Sequence, residues 1–318
     1  MSVLVTGGAG YIGSHMVLVL LDAGEDVLVI DNLSTGFRWA VPDDAKFVEG
    51  DVGDQNLIDR LLLLDQIDAI IHFAGSIVVP ESISDPLGYY LNNTCKSRAL
   101  IACAVANSVK HFIFSSTAAV YGTPENNPVS EDARLEPISP YGSSKLMTEI
   151  MLRDAALAHD LHFVALRYFN VAGADPRGRS GQSTPNATHL IKVAAQAALG
   201  KRPYMEVFGT DYPTSDGTCV RDYIHVTDLI GAHLAALEYL RKGGDSAVLN
   251  CGYGRGFSVL EVIASVKCAA KGDFAVRMGP RRSGDPATLV AKADRIREVL
   301  GWQPRYDDLD TIVGHAST

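Results

Sequence analysis

A glycine-rich turn between a strand and a helix, close to the N-terminus, constrains the fold most. Residues 2–6 read SVLVT, residues 7–13 read GGAGYIG, and an apolar segment follows from Tyr11 to Leu21. Glycines permit a tight turn, let a backbone approach a phosphate closely and let the helix lie near the strand. The free amides and the positive dipole end of such a helix attract the same anion. The sequence therefore predicts a strand, a phosphate-binding turn and a helix.

An aspartate follows the second predicted strand, where dinucleotide-binding folds place an acidic residue. The second strand, residues 26–30 (DVLVI), ends at Asp31. A carboxylate there can accept hydrogen bonds from adenosine ribose hydroxyls and would repel a 2′-phosphate, which favours NAD over NADP. The alternative is an ordinary turn aspartate. Strand, glycines and Asp31 together predict a dinucleotide site, while Asp51 either caps a helix or faces the adenine.

The first half of the chain alternates between strands and helices. Further strands are predicted at residues 47–48, 69–73, 111–115 and 162–166, and helices at residues 89–107 and 141–159. This alternation is typical of βαβ units and a parallel sheet covered on both faces. We predict an α/β fold with a Rossmann-type doubly wound parallel sheet.

The regular alternation stops after about residue 170. Residues 175–186 are rich in Gly, Pro, Ser and Arg and indicate a loop. Helices are predicted at 187–199, 227–241, 258–270 and 294–300, and short strands near 207–208 and 248–250. We predict an NAD-binding domain over residues 1–170 and a smaller mixed α/β substrate domain over residues 171–318, with the chain crossing back between them.

Charge and composition exclude several functions. The net charge of −9 disfavours nucleic acid and anionic membranes as partners. No apolar run approaches the 18 or so residues of a membrane span, and the N-terminus lacks a secretory pattern. The five scattered cysteines form no CxxC pair and indicate reduced thiols in the cytoplasm, and His72, His225 and His233 lack metal-ligand spacing.

A tyrosine and a lysine lie four residues apart on the helix predicted at 141–159. Ser139 can cap this helix and Pro140 suits its first turn. Tyr141 and Lys145 share one helix face, so the phenol and the ammonium can enter one cleft. The ammonium and a positively charged nicotinamide would lower the phenol pKa from its usual value near 10 and make Tyr141 a general base. A surface pair is the alternative.

Three hydroxyl residues, Ser115, Ser116 and Thr117, end the strand that precedes this helix. Ligands bind at the carboxyl ends of strands in open parallel sheets, so these hydroxyls could bridge a substrate hydroxyl and Tyr141. Strand-end capping is the alternative. The chain order of hydroxyls, tyrosine and lysine is a stronger indication than any one of them.

These patterns together resemble the extended short-chain dehydrogenase/reductase family, from residue 2 to about residue 313. The matching strings are GGAGYIGS (7–14), DNL (31–33), HFAG (72–75), SST (115–117), YGSSK (141–145), YFN (168–170), FGTDYPT (208–214) and VRDYIHV (220–226). The resemblance implies that the following residues contact NAD: Gly7, Gly10, Tyr11, Ile12, Asp31, Asn32, Asp51, Val52, Phe73, Ala74, Asn92, Ser115, Tyr141, Lys145 and Tyr168.

The resemblance also implies an isomerase that interconverts UDP-glucose and UDP-galactose through a transient 4-keto sugar, with Thr117, Tyr141 and Lys145 as its catalytic residues. It implies a homodimer and a UDP-sugar site formed by Thr117, Asn170, His189, Leu190, Phe208, Arg221, Arg282 and Asp285. Arginine forks bind diphosphates, which agrees with Arg221 and Arg282, although a solvated basic turn is the alternative at Arg281 and Arg282.

Three positions depart from the family pattern. Ile77 replaces a lysine of the cofactor loop, His189 replaces an asparagine near the nucleotide, and Leu289 lies where the sugar pocket is gated. N-acetylated and pentose UDP-sugars therefore remain alternative substrates. A 4,6-dehydratase would need an Asp-Glu pair after Thr117, where this chain has Ala118-Ala119. A non-catalytic NAD-binding regulator is the alternative of a different class.

Overall fold

A parallel sheet of seven strands forms the centre of the computed structural model, which describes residues 1–184, 187–282 and 284–317. All neighbouring strands in this sheet run parallel. In order across the sheet the strands are β10 (Ala247–Cys251), β6 (His162–Tyr168), β5 (His111–Thr117), β4 (Ile67–His72), β1 (Ser2–Thr6), β2 (Asp26–Asp31) and β3 (Lys46–Glu49). The order reverses next to β1, which is the doubly wound arrangement that the sequence predicts.

Helices cover both faces of the sheet. The helices are α1 (Tyr11–Asp22), α2 (Gln55–Leu64), α3 (Val79–Ser84), α4 (Pro86–Tyr89), α5 (Lys96–Ala106), α6 (Pro140–Ala158), α7 (Leu190–Ala198), α8 (Val226–Arg241), α9 (Val259–Ala270), α10 (Asp294–Leu300) and α11 (Leu309–Ser317). A π-helical turn over Tyr90–Cys95 leads into α5, and 3-10 turns span Arg38–Ala40 and Ala118–Tyr121. Within the described ranges, no helix combines the length and the apolar character needed to cross a membrane.

Alternating side chains of the strands supply two apolar cores. Val3 and Val5 lie in the core beneath α1 and α8, whereas Leu4 lies in the core beneath α2, α5 and α6. This alternation is the period of two that an extended strand imposes. Both faces of β1 are thus buried, which explains its continuous apolar run.

Two smaller sheets lie in the second half of the chain. In the first, β9 (Val220–His225) pairs with β7 (Asn170–Ala172), β11 (Gly256–Ser258) and β13 (Thr288–Leu289). In the second, β8 (Met205–Phe208) runs parallel to β12 (Val276–Gly279). A separate apolar core lies beneath α7, α9 and α11. Parallel pairing brings the ends of distant segments to one edge, which positions the residues of the site.

The structure corrects several boundaries. The strand predicted at 248–250 belongs to the large sheet, because β10 pairs with β6 and not with the smaller sheets. The helix predicted from residue 187 begins at Leu190, since His189 has an extended backbone and precedes the first turn. The loop predicted at 175–186 ends in Pro185 and Asn186, which lie outside the described residues. The domain boundary near residue 170 stays a prediction.

Candidate active site

The glycine turn has no room for larger side chains. Gly7 has a φ of +71°, and a Cβ atom there would lie 2.7 Å from the Ala74 amide nitrogen. A Cβ atom on Gly13 would lie 2.1 Å from the Gly7 carbonyl oxygen. Gly10 is the N-cap of α1 and offers no side chain to the first-turn amides, which include those of Tyr11 and Ile12. These amides are therefore suited to hold the pyrophosphate of a dinucleotide.

Asp31 is fixed beside this turn. Its carboxylate is buried and accepts hydrogen bonds from the amides of Ala9 (2.9 Å) and Leu33 (2.8 Å). A carboxylate has about four lone-pair positions, so two remain for ribose hydroxyls. The neighbouring Asn32 accepts a hydrogen bond from the Ser34 amide at 3.1 Å. The residues present thus fit the adenosine end of NAD.

Asp51 does not cap a helix, so that alternative is wrong. Asp54 is the N-cap of α2 and accepts the Leu57 amide. The Asp51 carboxylate accepts instead from the Gly53 amide at 2.8 Å and from Lys96 Nζ at 2.5 Å. Asp51 lies beside the buried Val52 in the loop after β3. That Asp51 faces the adenine stays a prediction.

The remaining cofactor candidates lie in loops at the carboxyl edge of the sheet or beside it. The Phe73 ring lies 4.8 Å from the His233 ring, the Ala74 amide donates to Thr6 Oγ1 at 3.2 Å, and Asn92 Nδ2 donates to Ser76 Oγ at 2.9 Å. Ile77, which the resemblance marks as a departure from a lysine, is apolar and 46% exposed, so this side chain offers no cation to the cofactor.

Tyr141 and Lys145 enter one buried region at the end of β5. Ser139 caps α6 by accepting the Gly142 amide at 3.2 Å, as predicted, and the helix begins at Pro140. Lys145 Nζ donates to the Ser115 carbonyl oxygen at 3.0 Å. The cofactor loop reaches the same place, because a Cβ atom on Gly75 would lie 3.6 Å from Lys145 Nζ.

The pKa of Tyr141 differs from the sequence-based expectation. Burial raises the pKa of this phenol, and a hydrogen bond with the Thr117 hydroxyl acts in the opposite direction. The prediction that Lys145 lowers the pKa of Tyr141 is therefore wrong for the protein without NAD. Lys145 Nζ is directed to the Ser115 carbonyl oxygen and lies 5.0 Å from the centre of the Phe114 ring. Burial lowers the pKa of Lys145 to about 8. Further positive charge beside the phenol is needed to make it a base near neutral pH.

Tyr168 adjoins the same strand end. Ser115 Oγ donates a hydrogen bond to the Tyr168 hydroxyl at 2.7 Å. Burial raises the pKa of Tyr168, so this phenol stays protonated. Thr117 accepts the Ala119 amide at 3.1 Å, which fixes its hydroxyl at the start of the 3-10 turn. The structure thus brings Ser115, Thr117 and Tyr168 together with Tyr141 and Lys145.

Sequence reasoning missed Asn93, which connects the cofactor loop to α6. Its amide oxygen accepts the Ser76 amide at 2.7 Å, and its nitrogen donates to the Ser76 carbonyl (2.9 Å) and to Ser144 Oγ (3.0 Å). Asn93 is buried within the π-helical turn, a type of turn that is frequent at functional sites. The dipeptide Asn92-Asn93, two poor helix formers within a predicted helix, is the signal that could have identified it.

Sequence reasoning also missed a buried ion pair behind the site. Arg167 Nε and Nη2 donate to the two carboxylate oxygens of Glu149 at 3.0 and 2.7 Å. Ser116 Oγ donates to the same carboxylate at 2.5 Å, and Arg167 Nη1 donates to the Tyr121 hydroxyl at 3.0 Å. Glu149 follows Lys145 by one helical turn, so the pair fixes the helix that carries both candidate catalytic residues.

The basic residues predicted to bind a diphosphate form a second cluster. Arg282 Nε donates to Asp285 at 2.9 Å, and Arg221 Nη2 lies 3.7 Å from the other oxygen of that carboxylate. The Arg282 guanidinium lies 4.8 Å from the centre of the Phe208 ring. Pairing of β9 with β13 places Leu289 beside Arg221, and pairing of β7 with β9 places Asn170 beside Tyr223. The cluster offers two cations and an aromatic face to a nucleotide.

His189 and Leu190 lie at the start of α7. The His189 ring is within hydrogen-bonding distance of Gln182 Nε2 at 3.2 Å, and burial lowers its pKa. It lines a cavity of about 180 Å³ together with Tyr11 and Gly173. The Tyr11 hydroxyl donates to the Gly173 carbonyl oxygen at 2.6 Å, which ties α1 to the segment that leads to α7.

The sheet, the glycine turn and the tyrosine–lysine pair define a dinucleotide-dependent enzyme of the short-chain dehydrogenase/reductase type. Residues 3–252 match the NAD dependent epimerase/dehydratase family, and the chain belongs to this family. It is 58% identical over 314 residues to UDP-glucose 4-epimerase of Azospirillum brasilense, covering 99% of this chain and 90% of that protein. The family resemblance inferred from the sequence is thereby confirmed.

Two solved structures are similar over nearly the whole chain. The UDP-glucose 4-epimerase of Brucella ovis in complex with NAD has a TM-score of 0.96 and 45% identity, covering 99% of this chain and 97% of that one. The UDP-Glc/GlcNAc 4-epimerase of Campylobacter jejuni has a TM-score of 0.87 and 50% identity, covering 99% and 98%. The predicted fold class is confirmed by these neighbours.

Proposed function

We propose that this chain is an NAD-dependent epimerase that interconverts UDP-glucose and UDP-galactose by inverting C4 of the hexose. One observation carries the proposal: Thr117, Tyr141 and Lys145 meet at the end of β5, where the cofactor loop after β4 also arrives. Relatives at 47–58% identity over nearly the full chain are UDP-glucose 4-epimerases, and the Brucella neighbour holds NAD. NAD would be held by the glycine turn, Asp31 and Lys145.

The chain's own residues perform the proton transfer. Bound NAD supplies the hydride acceptor and donor for C4, and its positive charge favours the ionised phenol. Tyr141 takes the proton of the 4-hydroxyl, and Thr117 holds that hydroxyl through a hydrogen bond. Tyr141 returns the proton after the 4-keto sugar has turned over. Lys145 would hold the nicotinamide ribose, with its ammonium fixed at the end of β5 by the Ser115 carbonyl oxygen.

The nucleotide is gripped more firmly than the hexose. Arg221 and Arg282 would hold the diphosphate, and the Asp285 carboxylate would fix the two guanidinium groups. Phe208 would face the nucleoside, and Asn170, His189 and Leu190 would complete the UDP-sugar site. Inversion requires the sugar ring to rotate while UDP stays bound, so charged groups belong at the diphosphate and not at the ring. Tyr141 lies on α6, whereas Arg221 lies in β9 of a smaller sheet and Arg282 and Asp285 lie between β12 and β13, which suits this requirement.

Replacement of the proposed base tests the mechanism. Tyr141→Phe removes one hydroxyl and should lower kcat for UDP-galactose conversion by roughly 10²–10⁴-fold, while UDP and NAD still bind. Tyr239→Phe is a matched control, because Tyr239 lies in the last turn of α8, where Arg241 pairs with Glu25 and Asp68 at the opposite edge of the large sheet. Near-normal kcat for Tyr141→Phe would show that another group takes the proton.

The identity of the sugar rests on a second comparison. The Campylobacter neighbour acts on both UDP-Glc and UDP-GlcNAc, and Leu289 is a branched apolar residue, buried beside Arg221. N-acetylated UDP-sugars are therefore the second candidate substrates. Epimerisation rates measured side by side with UDP-galactose and UDP-N-acetylgalactosamine, in assays without added reductant, distinguish the two candidate substrates. Formation of a 4-keto-6-deoxy product would instead indicate a dehydratase, and NAD binding without turnover a regulator.

We also propose a cytoplasmic homodimer. Its interface would lie on α6 and on the helical segment before α5, which consists of α4 and the π-helical turn. Large apolar side chains on these helices are exposed, namely Leu87 (78%), Leu91 (59%), Met147 (42%), Ile150 (40%) and Leu157 (83%). Contiguous exposed apolar surface of this kind marks protein interfaces. Light scattering on the wild type and on Leu91→Asp tests the proposal, since a monomeric wild type would contradict it.

A further inference from the structure

The two adjacent arginines of the 280–285 turn point to different partners. Arg282 pairs with Asp285 and lies over Phe208, in the candidate diphosphate cluster. Arg281 turns the other way, where its Nε donates to the Asp211 carboxylate at 2.7 Å and its Nη2 donates to the Asp211 carbonyl oxygen at 2.5 Å. Arg281 is exposed, as the alternative of a solvated basic turn expects, but its guanidinium is paired with Asp211 and is not part of the candidate diphosphate cluster.

Arg281 also lies against an aromatic ring. Its guanidinium carbon is 4.2 Å from the centre of the Tyr212 ring. Gly209 is enclosed between them, because a Cβ atom there would lie 2.5 Å from Tyr212 Cε2 and 2.8 Å from Arg281 Cγ. Gly209 has a φ of +82° and its amide donates to the Gly279 carbonyl oxygen at 3.0 Å. These contacts fasten the loop after β8 to the turn after β12.

We propose that Arg281 and Asp211 are positioning residues for the nucleotide site, acting as a latch that holds Phe208 and Arg282 at their mutual distance. Asp211 follows Phe208 by three residues and Arg281 immediately precedes Arg282, so each half of the latch is close in sequence to one nucleotide-binding group. The β8–β12 pairing ends at Phe208 and Gly279, and no further strand pairing holds the two segments beyond it among the described residues. This inference rests on the proposed function.

The position of the latch predicts which properties it controls. The pair is exposed, with side-chain accessibilities of 45% and 74%, so it contributes little to folding. Loss of the latch lets Phe208 and Arg282 separate, which weakens binding of the UDP part in the ground state and the transition state alike. KM for UDP-galactose should therefore rise while kcat stays close to the wild-type value.

The test is a double-mutant cycle on UDP binding, measured by calorimetry with NAD present. We expect Arg281→Met and Asp211→Asn each to weaken UDP binding roughly three- to tenfold, and the double variant to be no weaker than the worse single variant. NAD affinity should be unchanged and Tm should stay within about 3 °C. The exchanged pair R281D/D211R should recover part of the lost affinity.

Arg277→Met is the matched control. Arg277 also lies over an aromatic ring, that of Tyr204 at 3.7 Å, on the same two-stranded sheet but at its other end. It should leave UDP affinity unchanged. The latch is refuted if both single variants bind UDP within twofold of the wild type, or if their effects simply add. A wild type that binds NAD but no UDP would refute the proposed function and the latch together.

Discussion

Replacing Arg167 by methionine should destabilise the protein strongly, because it removes one half of a buried ion pair. Side-chain accessibility is 5% for both Arg167 and Glu149. Two hydrogen bonds of 3.0 and 2.7 Å join the guanidinium to the carboxylate. Methionine fills a similar volume but donates nothing, so the Glu149 carboxylate keeps only the Ser116 hydroxyl as a donor within the described residues.

The size of the effect follows from the burial of the remaining charge. Removing one partner of a buried pair typically costs about 3–5 kcal/mol, because an uncompensated charge stays in a low-dielectric interior. The whole free energy of unfolding is typically about 5–15 kcal/mol. A loss of this size corresponds to a fall in Tm of roughly 6–20 °C for a domain of this size.

Thermal and urea unfolding of the NAD-loaded protein measure this effect. Arg153→Met is a suitable control, because Arg153 pairs with Asp154 on the surface at accessibilities of 63% and 61% and should cost less than about 1 kcal/mol. The double variant Glu149→Leu/Arg167→Met should recover much of the loss, since no unpaired charge remains. A cost below about 1 kcal/mol for Arg167→Met alone would refute the reasoning.

Two further predictions concern the cofactor. Burial lowers the pKa of Lys145 to about 8, so NAD affinity, measured by titration between about pH 6 and pH 10, should fall as the pH rises through that value. Lys145→Arg should remove this dependence because arginine stays protonated, and an unchanged slope would contradict the role given to the ammonium. Gly13→Ala should abolish measurable NAD binding, since the new Cβ atom would lie 2.1 Å from the Gly7 carbonyl oxygen; Gly314→Ala, with nothing within 4 Å, is its control.

The parts of the site that are local in sequence could be predicted. The strand, glycines and helix of residues 2–22, the cap at Ser139 and the pairing of Tyr141 with Lys145 on one helix face all depend on neighbours within a few residues. Periodicity and capping rules act over such distances. These features are found in the structure as the sequence indicates, except that burial moves the pKa of Tyr141 upward.

The parts that depend on distant segments could not be predicted. Glu149 lies on α6 and Arg167 lies on β6. The residues next to each of them in sequence do not indicate that the two form a buried ion pair. Asn93 gains its role from Ser76 and Ser144, which are 17 and 51 residues away. The latch joins residues 70 positions apart. A charged or amide side chain in a single sequence looks the same whether it meets solvent or a buried partner.

β10, the strand that returns to the large sheet, illustrates how distant segments contribute to the site. β10 places Asn250 next to the buried pair, because the Tyr121 hydroxyl links the two. This hydroxyl accepts a hydrogen bond from Arg167 Nη1 and donates one to Asn250 Oδ1 at 2.6 Å. Asn250 Nδ2 donates in turn to the Val129 carbonyl at 2.9 Å, and the Val129 amide donates to the Val290 carbonyl at 2.8 Å, next to the strand that carries Leu289. Hydrogen bonds thus connect α6, which carries Tyr141, to the segment beside β13, which carries Leu289. We therefore expect Arg167→Met to raise KM for UDP-galactose as well as to lower Tm, and an unchanged KM would contradict this connection.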